Sequence, residues 1–102
     1  MQITNEENAG RLTMNLSGRF DFHAHREFRT AYEKALEVPG VREIELNFAK
    51  VDYLDSSALG MLLLLREKGE AAGKAVVLAG LAGTVKQVLD IANFGKLFTI
   101  RP

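Results

Sequence analysis

Ile44-Glu45-Leu46-Asn47-Phe48, then Val51-Asp52-Tyr53-Leu54-Asp55-Ser56-Ser57-Ala58-Leu59-Gly60 and the apolar residues 61–65, changes its repeat part-way along. Through Phe48 apolar and polar side chains alternate, the two-residue repeat of a half-buried strand. From Ser56 or Ser57 to about Ala72 the residues suit a helix, which Gly73 ends. A loop holding Asp52, Tyr53 and Asp55 is expected between the two.

The same alternation of periods extends in both directions. Upstream, Leu12-Thr13-Met14-Asn15-Leu16-Ser17 alternates as a strand and Gly18 is expected to break it. Ile3 and Thr4 belong to a preceding strand, with Glu7-Asn8-Ala9-Gly10 as the hairpin turn. Over residues 24–36, Phe28, Ala31, Tyr32, Ala35 and Leu36 share one helical face, opposite Arg26, Glu27, Arg29, Glu33 and Lys34, and Pro39-Gly40 stops the helix. Downstream, Val76-Val77-Leu78-Ala79 is a short continuous apolar run, as in a strand buried on both faces. Gly80 and Gly83 open a loop, and Thr84 is expected to cap a helix that buries Val85, Val88, Leu89 and Ala92. Residues 93–95 close that helix, and Leu97-Phe98-Thr99-Ile100-Arg101 is a last strand. Helices recurring between strands imply crossover connections. The expected fold is α/β: a mixed, partly parallel sheet of four to five strands with helices mainly on one face.

The chain has 102 residues, 47% of them hydrophobic and 25% charged, which suits a single domain over residues 1–102 with one core. Thirteen basic residues balance thirteen acidic ones, so no basic excess favours nucleic acid or an anionic membrane. The absence of cysteine excludes disulfides, thiol catalysis and cysteine-ligated metal, and fits a reducing cytoplasm. The polar N-terminus has no secretory core, and residues 61–65 are too short an apolar run to cross a bilayer.

The chemistry-bearing segment is Asp55-Ser56-Ser57 at a loop-to-helix junction. First-turn N–H groups have no intrahelical partner and carry partial positive charge, so an anion is tolerated there. Phosphorylation adds roughly 1.5–2 negative charges and three acceptor oxygens. On Ser56, beside the carboxylate of Asp55, it changes the surface rather than the fold. By spacing alone Asp55 or Ser56 reads more commonly as a plain helix cap.

The whole segment weighs against that plain reading. Asp55-Ser56-Ser57-Ala58-Leu59-Gly60 resembles the signature of the STAS family, named for sulfate transporters and anti-sigma factor antagonists: an Asp-Ser-Ser/Thr-Gly-Leu-Gly turn entering an apolar helix. The resemblance extends along nearly the whole chain. Leu16-Ser17-Gly18-Arg19-Phe20-Asp21 looks like the family's strand ending in a Gly-x-hydrophobic-Asp corner, and Ile44-Glu45-Leu46-Asn47 like the buried strand before the signature. Gly73-Lys74-Ala75-Val76-Val77-Leu78 looks like the next strand, and residues 85–98 like the closing helix and strand.

The resemblance implies a phosphorylation-controlled anti-sigma factor antagonist. An anti-sigma factor that is also a serine-protein kinase phosphorylates Ser56, with Ser57 the second choice. The unphosphorylated form binds that kinase and releases the sigma factor, and a PP2C-type phosphatase resets the switch. Asp21, Asp55, Ser56, Ser57, Ala58 and Met61 are expected at the partner surface. No cofactor, catalysis, direct nucleic-acid contact or membrane insertion is expected, and the chain should be a cytoplasmic monomer. Ala58 stands where the family has glycine, which bears on partner choice. Many relatives carry a further C-terminal helix, so one sheet edge is expected to be less covered. Of residues 59–65, some side chains, Met61 or Leu64 among them, are candidates for an exposed patch, although burial is the simpler expectation.

Two other classes remain. An accessory STAS subunit of an ABC-type membrane transporter shares the fold. A serine hydrolase using Ser56 and a histidine lacks the Gly-x-Ser-x-Gly elbow. His23 and His25 suit helix-start or surface roles, for want of third and fourth metal ligands. The Gly80-Leu81-Ala82-Gly83-Thr84 loop lacks the Gly-Lys-Ser/Thr end of a phosphate-binding loop. Glu67, Lys68, Glu70 and Lys74 read as a solvated helix end.

Overall fold

The computed structural model describes residues 1–102. In chain order the elements are β1 (Gln2–Asn8), β2 (Arg11–Phe20), α1 (His25–Glu37), β3 (Glu43–Leu54), α2 (Ser56–Ala71), β4 (Ala75–Ala79), α3 (Gly83–Ile91) and β5 (Thr99–Arg101). Short 3-10 turns at Phe22–Ala24 and Phe94–Lys96 precede α1 and β5. The sheet order is β1-β2-β3-β4-β5, antiparallel between β1 and β2 and parallel thereafter. The expected mixed α/β sheet is therefore present.

The two periods sort the residues into layers. Leu12, Met14 and Leu16 of β2, Ile44, Leu46 and Phe48 of β3, and Val76 and Leu78 of β4 point to one side. There they join Phe28, Tyr32 and Ala35 of α1, Ala58, Met61, Leu62 and Leu65 of α2, and Val85 and Leu89 of α3 in one buried cluster. The other side is polar: Glu43 and Glu45 of β3 hold Arg101 of β5 through contacts of 2.6, 2.8 and 3.0 Å, and Arg11 reaches Glu43 at 2.7 Å. To reach β3 from β5, Arg101 must cross β4 on the face that carries Val77. Val77 is accordingly buried without belonging to the main core. The paired guanidinium groups, Arg101 first, hold the Glu43 carboxyl below its ordinary range.

Several boundaries differ from the sequence expectation. Gly18 does not break β2; it takes φ +100 and the strand runs on to Phe20. The strand expected to end at Phe48 continues to Leu54, so Asp52 and Tyr53 lie in β3 rather than in a loop. The register explains why. Asn15 pairs with Asn47 but Ser17 with Lys50, and Gly18 pairs with Val51 but Arg19 with Tyr53. β3 gains a residue at each irregularity, and its buried positions become Phe48, Val51 and Leu54. Thr84 is not the cap of α3: that place falls to Ala82, with no side-chain hydrogen bond. Leu97 and Phe98 precede β5 instead of forming part of it. Lys74 is not a solvated end group, since its ammonium donates to the carbonyls of Val38 and Val41 at 3.0 and 2.8 Å.

Asn47 holds the first bulge: its amide donates to Asn15 Oδ1 at 2.9 Å and its oxygen accepts the Ala49 N–H at 3.0 Å. Gly80 lies against this arrangement at φ +71. A Cβ there would stand 2.8 Å from Asn47 Oδ1 and 3.0 Å from Ala49 N. Gly80→Ala is expected to destabilise the chain by about 2–4 kcal/mol, from overpacking and left-handed backbone strain together. Urea unfolding measures it, and a change below about 0.5 kcal/mol, the scale of a neutral surface substitution, would refute the contact.

Candidate functional site

β2 and β3 run parallel, and their last paired residues are Phe20 with Leu54 and Arg19 with Tyr53. The next residue on each strand is an aspartate, and each aspartate caps the turn that follows. Asp21 Oδ1 accepts the His23 N–H at 2.9 Å, capping the 3-10 turn ahead of α1. Asp55, with extended backbone, is the N-cap of α2. Its Oδ1 accepts the Ser57 hydroxyl at 2.6 Å and the Ala58 N–H at 3.1 Å. Its Oδ2 accepts the Phe22 N–H at 3.3 Å, and its own N–H donates to the Phe20 carbonyl at 3.3 Å. The Asp55 carboxylate thus ties the start of α2 to the turn after β2. Arg19 lies 3.5 Å from Asp21 and 4.0 Å over the Tyr53 ring, so a cation borders the corner.

This geometry separates the two serines. Ser57 is half-buried and its hydroxyl is already donated to Asp55. Ser56, the first residue of α2, is exposed and its hydroxyl takes no part in the hydrogen bonds of the corner. Ala58 and Met61, both expected at a partner surface, are buried at 0% and 7% exposure, so neither side chain is presented there. α2 buries a single stripe of Ala58, Met61, Leu62, Leu65 and Gly69. Its outward leucines are Leu63 and Leu64, each 40% exposed. The sequence reading passed over Phe22, which is 68% exposed next to the corner. Its signal was an apolar residue directly after the Asp21 turn, outside the helical stripe of α1.

The Ser57 hydroxyl, followed by the N–H groups of Ala58, Phe22 and Ser57, holds the Asp55 carboxyl below its ordinary value. A carboxyl lowered on folding stabilises the fold when ionised. That contribution is complete above the ordinary carboxylate range and is lost as pH falls through the lowered folded value. Asp55→Asn is expected to flatten part of the acid limb of a stability-against-pH curve, with the part due to Glu43 retained. An acid limb identical to that of the unaltered chain would show that Asp55 is not held ionised in the cap.

A profile of the family described as "Mlab, STAS domain" matches residues 3–101. The chain belongs to the STAS domain family. A STAS-domain containing protein of Pseudomonas aeruginosa strain UCBPP-PA14 is 45% identical over 89 residues, covering 87% of this chain and 86% of the relative. An anti-sigma F factor antagonist of Paenibacillus polymyxa is 29% identical over 104 residues, covering 98% and 86%. Among solved structures, the anti-sigma factor antagonist SpoIIAA in its unphosphorylated form superposes with a TM-score of 0.75 at 24% identity, covering 99% of this chain and 88% of that one. The phosphorylated form of the Bacillus protein gives 0.73 at 22%, covering 99% and 92%. This STAS chain therefore has the fold of anti-sigma factor antagonists and a distant homologue named as one. No helix of it is long and apolar enough to cross a membrane.

Proposed function

We propose that this STAS domain is a phosphorylation-controlled anti-sigma factor antagonist whose acceptor is Ser56. The observation that carries the reading is the division of labour in the corner. Ser57 is spent on the Asp55 cap, and Ser56 stands free and exposed on the first residue of α2. The kinase transfers the γ-phosphoryl group of its nucleotide to Ser56 Oγ; the hydroxyl proton leaves and ADP is released. A PP2C-type phosphatase directs water to the phosphoserine, returning the hydroxyl and inorganic phosphate. Nucleotide and metal belong to those enzymes, and this chain is a substrate and binding module that works as a cytoplasmic monomer.

The switch is electrostatic. Phosphorylation places roughly 1.5–2 negative charges beside a carboxylate that the cap holds ionised. Four acceptor hydrogen bonds are retained within the corner, so α2 keeps its start. A partner closing over Ser56 must then desolvate a concentrated charge, which turns docking off. The unphosphorylated form docks on the anti-sigma factor and so releases the sigma factor.

Incubation with ATP and the histidine-kinase-like ATPases encoded in the same genome, followed by intact-mass and peptide mapping, tests the reading. One phosphoryl group on Ser56 and none on Ser57 is expected. Stable co-purification with an ABC-type transporter, without phosphoryl transfer, would instead support the accessory-subunit role.

A further inference from the structure

Of the six phenylalanines, Phe20, Phe28, Phe48, Phe94 and Phe98 are buried at 4% exposure or less, whereas Phe22 is 68% exposed. The core does not require an aromatic there, yet the backbone beneath it is pinned from both sides. Asp21 caps the turn that carries Phe22, and the Phe22 N–H is bound by Asp55, the residue directly before Ser56. The ring meets His23 edge-on at 5.8 Å between centroids. An aromatic side chain has only two rotatable bonds, and on a fixed backbone it loses little freedom when a partner covers it. Interface cores are enriched in aromatic residues, phenylalanine among them, and a few buried anchors carry most of the binding energy.

We infer that Phe22 is the docking anchor for the anti-sigma kinase and sets which kinase this chain accepts, an inference that rests on the function proposed above. The partner carries an apolar slot that takes the Phe22 ring, placed so that Ser56 enters its phosphoryl-transfer site. Affinity and switching then reside on different residues joined through one carboxylate. Phe22 supplies contact area in both states of the substrate, and Ser56 carries the charge that ends the complex. An interaction made equally in ground and transition states lowers KM and leaves kcat unchanged.

The test uses the kinase that phosphorylates the unaltered chain, with Kd measured without ATP and phosphorylation followed at varied substrate concentration. Phe22→Ala is expected to weaken binding about 30-fold, the scale of a truncated anchor, and to raise KM with kcat retained. Phe22→Tyr should restore most of the affinity. The thermal midpoint should not move in either variant. Ile91→Ala serves as the control, because Ile91 is 82% exposed but lies at the far end of α3. Phe22→Ala binding within twofold of the unaltered chain, or a loss matched by Ile91→Ala, overturns the anchor while the Ser56 switch stands. Absence of any kinase that binds the unaltered chain overturns both.

Discussion

Ser56→Ala is expected to end phosphoryl incorporation completely and to leave partner affinity within about twofold of the unaltered chain, the range of an energetically near-neutral contact. The side chain lost is one exposed hydroxyl outside the capping network, so the fold loses nothing that Asp55 and Ser57 supply. Ser56→Asp should act oppositely, weakening binding by about 10- to 100-fold through a permanent charge beside Asp55. The same substitution adds an acidic group to the first turn of α2, which now has none, where the helix field favours it by about 0.3–1 kcal/mol. Binding and stability should therefore move apart, and that divergence identifies the effect as electrostatic. Quantitative phosphopeptide mapping and a binding titration on the three proteins measure it. Full modification of Ser56→Ala would transfer the acceptor role elsewhere, with Ser57 next in line.

Phe20→Ala is expected to cost about 3–5 kcal/mol of stability. Phe20 has 0% exposure and packs on Phe28 at 4.8 Å and Phe48 at 6.3 Å between ring centroids. A domain of this size has only about 5–15 kcal/mol in total, so the thermal midpoint should fall by more than about 10 °C. The site should suffer as well, because the Phe20 carbonyl receives the Asp55 N–H and the next residue is Asp21. Phe22→Ala, two residues on, should change stability by less than about 0.5 kcal/mol. Thermal and urea unfolding of the two variants, side by side, measure the contrast. Equal losses would mean that the ring at position 20 is not packed between β3 and α1.

The contrast between positions 20 and 22 shows what was legible before the fold was known. Helix α1 and the strands at residues 12–17 and 44–48 announced themselves through repeats of 3.6 and 2, which depend only on neighbours along the chain. β3 beyond Phe48 did not, because each bulge shifts the repeat by one residue and the buried side chains recur at 48, 51 and 54. That pattern resembles a loop when read along the chain, and only the pairing with β2 restores it to a strand. The leucines of α2 were equally opaque. Residues 61–65 are apolar on every side, so spacing could not choose Leu63 and Leu64 as outward and Met61 as inward; packing on the sheet and α1 did.

By itself, then, the sequence determined the order of elements, the helix start at Asp55-Ser56-Ser57 and the kinship of that segment, since all three are local. The tertiary structure alone decided which exposed aromatic is tied to the corner that carries the free hydroxyl. Ser57 reaches the Asp55 carboxylate from two residues along its own helix, whereas Phe22 reaches it from 33 residues away, an approach that exists only when β2 and β3 lie side by side.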